Sequence, residues 1–309
     1  MVTTALFVSS GDLIADRRYR WAIDHARRGD LVAAADILVQ TVELAPAFAT
    51  AWFALGAIRD VLGDPAGAVA AFAAARDADP QDYHGARLHL ARLGAGELAP
   101  EMTATYVRRL FDHHAGDFDS SMRERLDYRG PELLLAAVQA VAGARLRAGF
   151  LLDLGCGTGL GGATFRPFAD RLVGVDLSPA MIDQARAKRL YDRLCVLDLA
   201  QFLREEALHK VQYHLVLAAD VFVYCGDLAP IAAAVAGVLG SGGLFAFTVE
   251  THDGRGVLLR ETLRYAHSAD HVRDAQQRAE LTPLTLESAS TRTEKGVPVS
   301  GLVVVARRA

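Results

Sequence analysis

The 309-residue sequence is poor in cysteine and nearly devoid of lysine. Its cysteines are odd in number, three, and lie far apart at 156, 195 and 225. They form no disulfide framework and show no metal-ligand spacing, so no metal is expected. That usage fits a reducing compartment. Lysine occurs only at 188, 210 and 295, so arginine carries the positive charge. Basic residues number 33 against 37 acids, a formal charge of −4. There is no basic excess with which to coat nucleic acid. The opening residues, MVTTALFVSSGD, lack the basic start of a secretory leader. One uncharged run, 228–249, has the length of a membrane span, but Pro230 and the GSGG at 240–243 interrupt it. It reads as helix, turn and buried strand. The expectation is a cytoplasmic protein with neither nucleic acid nor membrane as partner.

What is present is an ordinary globular composition, 51% hydrophobic and 23% charged, over a length that suggests two domains. Near the start the chain repeats itself. Gly29-Asp30 returns as Gly63-Asp64, Ala34 as Ala68, Leu38 as Phe72 and Pro46 as Pro80, each 34 residues later. That is the tetratricopeptide period. In the second copy Trp52, Leu55, Gly56 and Arg59 share a helical face, and Gly56 and Ala68 let two helices approach. Residues 83–95 read as a closing helix. Two repeats are short of stand-alone stability, so they are expected to lean on the rest of the chain. The organisation expected is a tail over 1–15, helical repeats over 16–97 and a second domain over 98–309. The repeats are a candidate protein-docking surface, with a structural cap as the plainer reading.

The second domain carries a glycine loop between a strand and a helix. The apolar run 150–154 leads into Gly155-Cys156-Gly157-Thr158-Gly159. A second strand, 171–176, ends in Asp176, and Ser178-Pro179 starts a helix. A βαβ unit with an acid about 20 residues past the glycines suits a ribose-bearing cofactor, since glycines admit the ligand and the acid takes the ribose hydroxyls. The glycines alone do not distinguish nicotinamide, flavin and S-adenosylmethionine (SAM) sites.

The wording Leu152-Asp153-Leu154-Gly155-Cys156-Gly157-Thr158-Gly159 resembles motif I of the class I SAM-dependent methyltransferases. Val173 to Met181 resembles their second motif. With the N-terminal repeats, the chain is similar to bacterial methyltransferases that carry tetratricopeptide repeats. The resemblance implies an α/β fold: a seven-stranded Rossmann-like sheet with an antiparallel last strand, behind a small all-α domain. It implies SAM as cofactor, S-adenosylhomocysteine as product, and an unidentified small-molecule or protein-borne acceptor. Asp176 would take the ribose, with Leu177 beside it and Met181 against the adenine. Asp198 and Leu199, ending a strand over 195–199, would meet the adenine edge. Asp153, Gly155, Cys156, Gly157, Gly159 and Ala218 would complete the cofactor site.

A fourth strand, 214–220, ends where the family faces the methyl donor, which makes Asp220 a catalytic candidate. Strand five covers 242–248, and a hairpin over 281–305 closes the chain. Tyr265 and His267 follow strand five, where this fold inserts substrate loops. Both are substrate-contact candidates, and His267 is also a candidate base alongside His252, Glu250 and Asp220. Phe111 to Asp119 resembles the lid helix that precedes motif I in small methyltransferases. Asp127-Tyr128-Arg129 could close over the cofactor carboxylate. His113 and His114 are adjacent and diverge on a helix, which disfavours a shared metal. Two alternatives stay open: an NAD-dependent oxidoreductase on the same sheet, and a non-enzymatic scaffold built on a degenerate methyltransferase fold.

Overall fold

The computed structural model describes residues 7–143 and 147–309. The chain divides into two compact units, Met1–Tyr106 with Glu261–Leu263, and Val107–Arg260 with Arg264–Ala309.

The first unit is helical. Helices α1 (Leu13–Arg27) and α2 (Leu31–Leu44) form one hairpin, and α3 (Ala49–Val61) and α4 (Pro65–Ala78) form the next. Helix α5 (Ala86–Arg92) packs on α4. The 34-residue periodicity has a direct structural counterpart. Gly29 and Gly63 both adopt positive φ, +87° and +78°. Asp30 then caps α2 by accepting from the Ala33 amide at 3.2 Å, and Asp64 caps α4 by accepting from Gly67 at 2.9 Å. Gly56 lets α3 meet α4, since a Cβ there would stand 2.8 Å from the buried Phe72 ring. Two differences from the sequence expectation appear. Helix α1 begins at Leu13, inside the expected tail, because Asp12 caps it with its own carboxylate. The first unit also runs to Tyr106 rather than 97.

The second unit is α/β. Before the sheet come α6 (Ala104–His114), a single turn α7 (Phe118–Ser120) that continues as a π-turn over 121–125, and α8 (Gly130–Ala142). The alternating βα run comes next: β1 (Gly149–Leu154), α9 (Leu160–Phe165), β2 (Ala169–Asp176), α10 (Pro179–Ala187), β3 (Arg193–Val196), α11 (Leu199–Leu208), β4 (Tyr213–Ala218), α12 (Ala229–Val238) and β5 (Leu239–Thr251). The chain then makes β6 (Val257–Leu259), β7 (Tyr265–His267), α13 (Ala269–Arg278), β8 (Leu281–Ala289), the short β9 (Thr293–Glu294) and β10 (Val297–Pro298), and β11 (Gly301–Arg308).

The main sheet runs β3-β2-β1-β4-β5-β11-β8, with β6 and β7 attached beside β5. Strands β1 to β5 are parallel, and β11 inserts antiparallel between β5 and β8. The sheet is therefore mixed, as expected from the terminal hairpin. The antiparallel strand is last in sequence but not outermost, since β8 holds the edge. Alternate residues serve opposite faces. Leu152, Leu154, Val216 and Phe245 pack under α11, α12 and α13, whereas Leu151, Leu172, Leu215 and Ala246 pack under α8 and α9. The uncharged run 228–249 resolves into α12 followed directly by β5, with the glycines inside the first residues of the strand. No helix among the described residues is long and apolar enough to cross a membrane.

Candidate cofactor and acceptor site

The glycine loop joins β1 to α9 in a conformation that side chains disfavour. Gly155, Gly157 and Gly159 have φ of +64°, +53° and +92°. A Cβ at Gly155 would strike Val221 at 2.6 Å, whereas one at Gly157 would meet nothing within 4 Å. The first glycine is thus packed against the segment after β4, and the second borders open space. Asp176, at the end of β2, ties the loop down. Its Oδ2 accepts from the Gly157 amide at 2.9 Å and its Oδ1 from the Ser178 amide at 2.8 Å. Burial pushes its carboxyl above the usual range. Leu177 is next, half-buried, and its carbonyl accepts from Arg108 at 3.1 Å.

The other expected cofactor residues divide. Asp153 is buried at the end of β1, and burial pushes its carboxyl up to about 7. Cys156 is buried, its thiol raised well above its ordinary value by burial, and its amide donates to Val175 at 3.0 Å. Ala218 is buried at the end of β4. Met181 is fully buried in α10. Strand β3 stops at Val196, earlier than expected. The cause is Asp198, which caps α11 by accepting from the Gln201 amide at 3.0 Å and makes Leu199 the first helical residue.

The segment ahead of β1 lies across this edge. Asp112 accepts from the Ser178 hydroxyl, and Asp119 accepts from both the Thr158 hydroxyl and the Lys188 ammonium. Phe111 meets Tyr224 edge-on at 5.3 Å between ring centres. Residues 126–129 pair by backbone with 291–293: Thr293 donates to Leu126 and Arg129 to Thr291, each at 2.7 Å. Tyr128 faces the carboxylates of Asp220 and Asp153, which together with burial raise its phenol.

Two of the catalytic and substrate candidates lie in the interior. His267 and Tyr265 are fully buried in β7. His267 spends Nε2 on the Cys225 carbonyl at 2.8 Å, and burial lowers it to about 4, so it is neutral at pH 7. Neither side chain presents a surface to an acceptor. Asp220 is held at positive φ (+60°), its amide donating to the Thr248 hydroxyl at 2.8 Å. Its carboxylate pairs with Arg292 at 2.8 Å and Arg264 at 3.3 Å. Glu250 is buried between Arg292 at 2.6 Å, Arg264 at 2.7 Å and Arg260 at 3.2 Å. His252 braces its own turn through Gly254 and Gly256. This Arg–acid cluster was not legible as a unit, because its members span 220 to 294 and meet only through the sheet.

Tyr191 was also missed. Its hydroxyl donates to Asp153 at 2.6 Å and accepts from the Gly162 amide at 3.1 Å. Its ring fills a space that a Cβ at Gly162 would enter at 2.4 Å and one at Gly174 at 2.8 Å. The one signal was a pair of glycines without an assigned role, Gly162 and Gly174.

Residues 152–245 match the family model described as a methyltransferase domain. The matched stretch runs from β1 into β5 and so includes the glycine loop and Asp176. A curated relative, methyltransferase-like protein 27 of Homo sapiens, is 35% identical over 112 residues, 36% of this chain and 44% of that protein. The chain thus matches less than half the length of that relative. Among solved structures, 1,6-didemethyltoxoflavin-N1-methyltransferase of Burkholderia thailandensis, with 1,6-didemethyltoxoflavin and S-adenosylhomocysteine bound, superposes with a TM-score of 0.55 at 19% identity. The alignment covers 70% of this chain and 92% of that one, a likeness of fold.

Proposed function

We propose that this chain binds SAM at the β1–α9 loop and transfers its methyl group to a small-molecule or protein-borne acceptor held beyond β4. The observation that carries the reading is the Asp176 carboxylate, fixed by the Gly157 and Ser178 amides beside a loop whose middle glycine borders open space. Gly155, Gly157 and Gly159 would let the cofactor approach the backbone, Asp176 would hold its ribose, and Asp153 would lie toward its amino end. Bound SAM supplies an activated methyl on a sulfonium. The protein's part is to align the acceptor with it, which can contribute roughly 7–11 kcal/mol. With His267 buried and Asp220 and Glu250 paired, the reading favours an acceptor that needs no strong base from these groups.

The first unit supports a tetratricopeptide-like reading, through the glycine–aspartate caps repeated at 30 and 64 and the Gly56–Phe72 contact. It would then serve as a docking element for a protein partner. A cytoplasmic location fits the cysteine usage.

Thermal unfolding with SAM, S-adenosylhomocysteine and NAD, on wild type and Asp176→Ala, tests the cofactor. Ligand at about 100 times its dissociation constant stabilises by roughly 2.7 kcal/mol. A shift with both sulfur ligands, none with NAD and none in Asp176→Ala supports the reading. No shift with either sulfur ligand defeats it and returns the scaffold alternative. A shift with NAD alone returns the oxidoreductase.

A further inference from the structure

Tyr191 stands outside every motif, yet among the described residues it is the side chain that hydrogen-bonds Asp153. Its ring sits where three glycines leave room. A Cβ at Gly159 would lie 3.1 Å from it, at Gly174 2.8 Å and at Gly162 2.4 Å. Two of these glycines lie at the loop and the start of α9, and the third is in β2. A side chain at Gly162 or Gly174 would force the ring to move, and one at Gly159 would crowd it. The hydroxyl then completes a chain of two hydrogen bonds, from the Gly162 amide to Tyr191 and from Tyr191 to the carboxylate.

Asp153 has a demanding environment. It is 2% exposed and lies beneath the first turn of α9, its Oδ2 2.9 Å from where a Cβ of Gly161 would stand. Asp176 of β2 and Cys156 of the loop face it, as does Tyr128 of the segment before α8. Burial and the Asp176 charge both work against ionisation, while the Tyr191 hydroxyl and the Gly162 amide work for it. A carboxylate in that balance needs a donor of fixed direction to stay charged.

We propose that Tyr191 is a positioning residue for cofactor binding: clasped by Gly159, Gly162 and Gly174, it orients the Asp153 carboxylate under the glycine loop through a hydrogen bond that favours its ionised form. The inference rests on the SAM reading above, because the purpose of that charge is to favour the ammonium end of the cofactor. Protonated Asp153 loses the attraction, so affinity rises with pH through the Asp153 titration. Removing the hydroxyl moves that titration upward.

The test compares wild type with Tyr191→Phe, which keeps the ring in its cradle. The carboxyl carbon shift of Asp153 is followed against pH in the free protein. The dissociation constant of S-adenosylhomocysteine is measured over the same range by calorimetry. The expected result is an Asp153 midpoint raised by about one unit or more, with the affinity profile displaced by the same amount. Gly162→Ala, which displaces the ring instead, should move both in the same direction. An unmoved Asp153 midpoint in these variants overturns the proposal, and so does a moved midpoint that the affinity profile does not track. A structural role alone would lower the unfolding temperature without displacing either profile. Absence of S-adenosylhomocysteine binding by wild type at every pH overturns the SAM reading, and this inference with it.

Discussion

Arg292 donates to Glu250 at 2.6 Å, and both residues are 2% exposed. The same guanidinium reaches Asp220 at 2.8 Å and Glu294 at 2.7 Å. One cation therefore ties the ends of β4 and β5 to the turn between β8 and β11. Replacing it by methionine leaves the Asp220 and Glu250 carboxylates, the more buried two of its three partners, with less compensation. A stability loss of about 3–5 kcal/mol is expected, read from urea unfolding of Arg292→Met. A loss below about 1 kcal/mol would show that Arg260 and Arg264 suffice.

Gly157→Ala separates folding from cofactor binding. The residue adopts φ of +53°, and a Cβ there meets no atom of the protein within 4 Å. The substitution should cost about 1 kcal/mol in backbone strain and weaken S-adenosylhomocysteine at least about tenfold, because the methyl would project into the space assigned to the ligand. Equal affinity in the variant, measured by calorimetry, would remove that space from the cofactor site.

Gly56→Ala should destabilise the first unit, against the helix propensity scale. Alanine ordinarily gains about 1 kcal/mol over glycine inside a helix. Here the added carbon would lie 2.8 Å from the Phe72 ring, which is fully buried. Overpacking of this kind costs roughly 1–3 kcal/mol. A raised unfolding temperature in the full-length variant would show that the ring can yield.

His267 predicts an acid sensitivity. Burial lowers it to about 4 in the folded chain, from an ordinary value of 6.5. As pH falls, the unfolded chain takes up the proton first. Its contribution is therefore complete above about 6.5 and is lost on the way down to about 4, with a limit of about 3 kcal/mol. His89 in the first unit, also lowered to about 4, acts in the same direction. Asp82, raised to about 6, acts oppositely, stabilising below its ordinary value and losing that contribution as pH rises through 6. Denaturant unfolding of wild type and His267→Leu at pH 7.5 and 4.5 isolates the His267 part. The variant should lose less stability between the two. An equal loss in both would assign the acid sensitivity elsewhere.

Much of the architecture was legible because it is local. Strands β1 and β2 are short apolar runs that stop at Gly155 and Asp176, and helix starts are written in Asp30, Asp64 and Ser178. Asp198 shows the limit of such reading. An acid after an apolar run can be a ligand at a strand end, a helix cap or both, and through the amide of Gln201, three residues on, Asp198 caps α11. His267 and Tyr265 show a different limit. Their position after strand five marked a loop in the sequence, but β7 pairs in parallel with the end of β5 and takes both side chains into the interior.

The sequence by itself determined the periodic helices, the order of strands along the chain, and the glycine loop with the acid beyond it, because each depends on residues within one or two turns of one another. Tertiary structure alone decided which charges meet. Arg292 finds Asp220 across 72 residues, Arg264 finds Glu250, and Tyr191 finds Asp153 across 38. Those meetings result from strand order and register, which bring distant segments to one sheet edge. Whether a given acid is a free base, a paired charge or a braced carboxylate is settled there by burial and by the nearest donor.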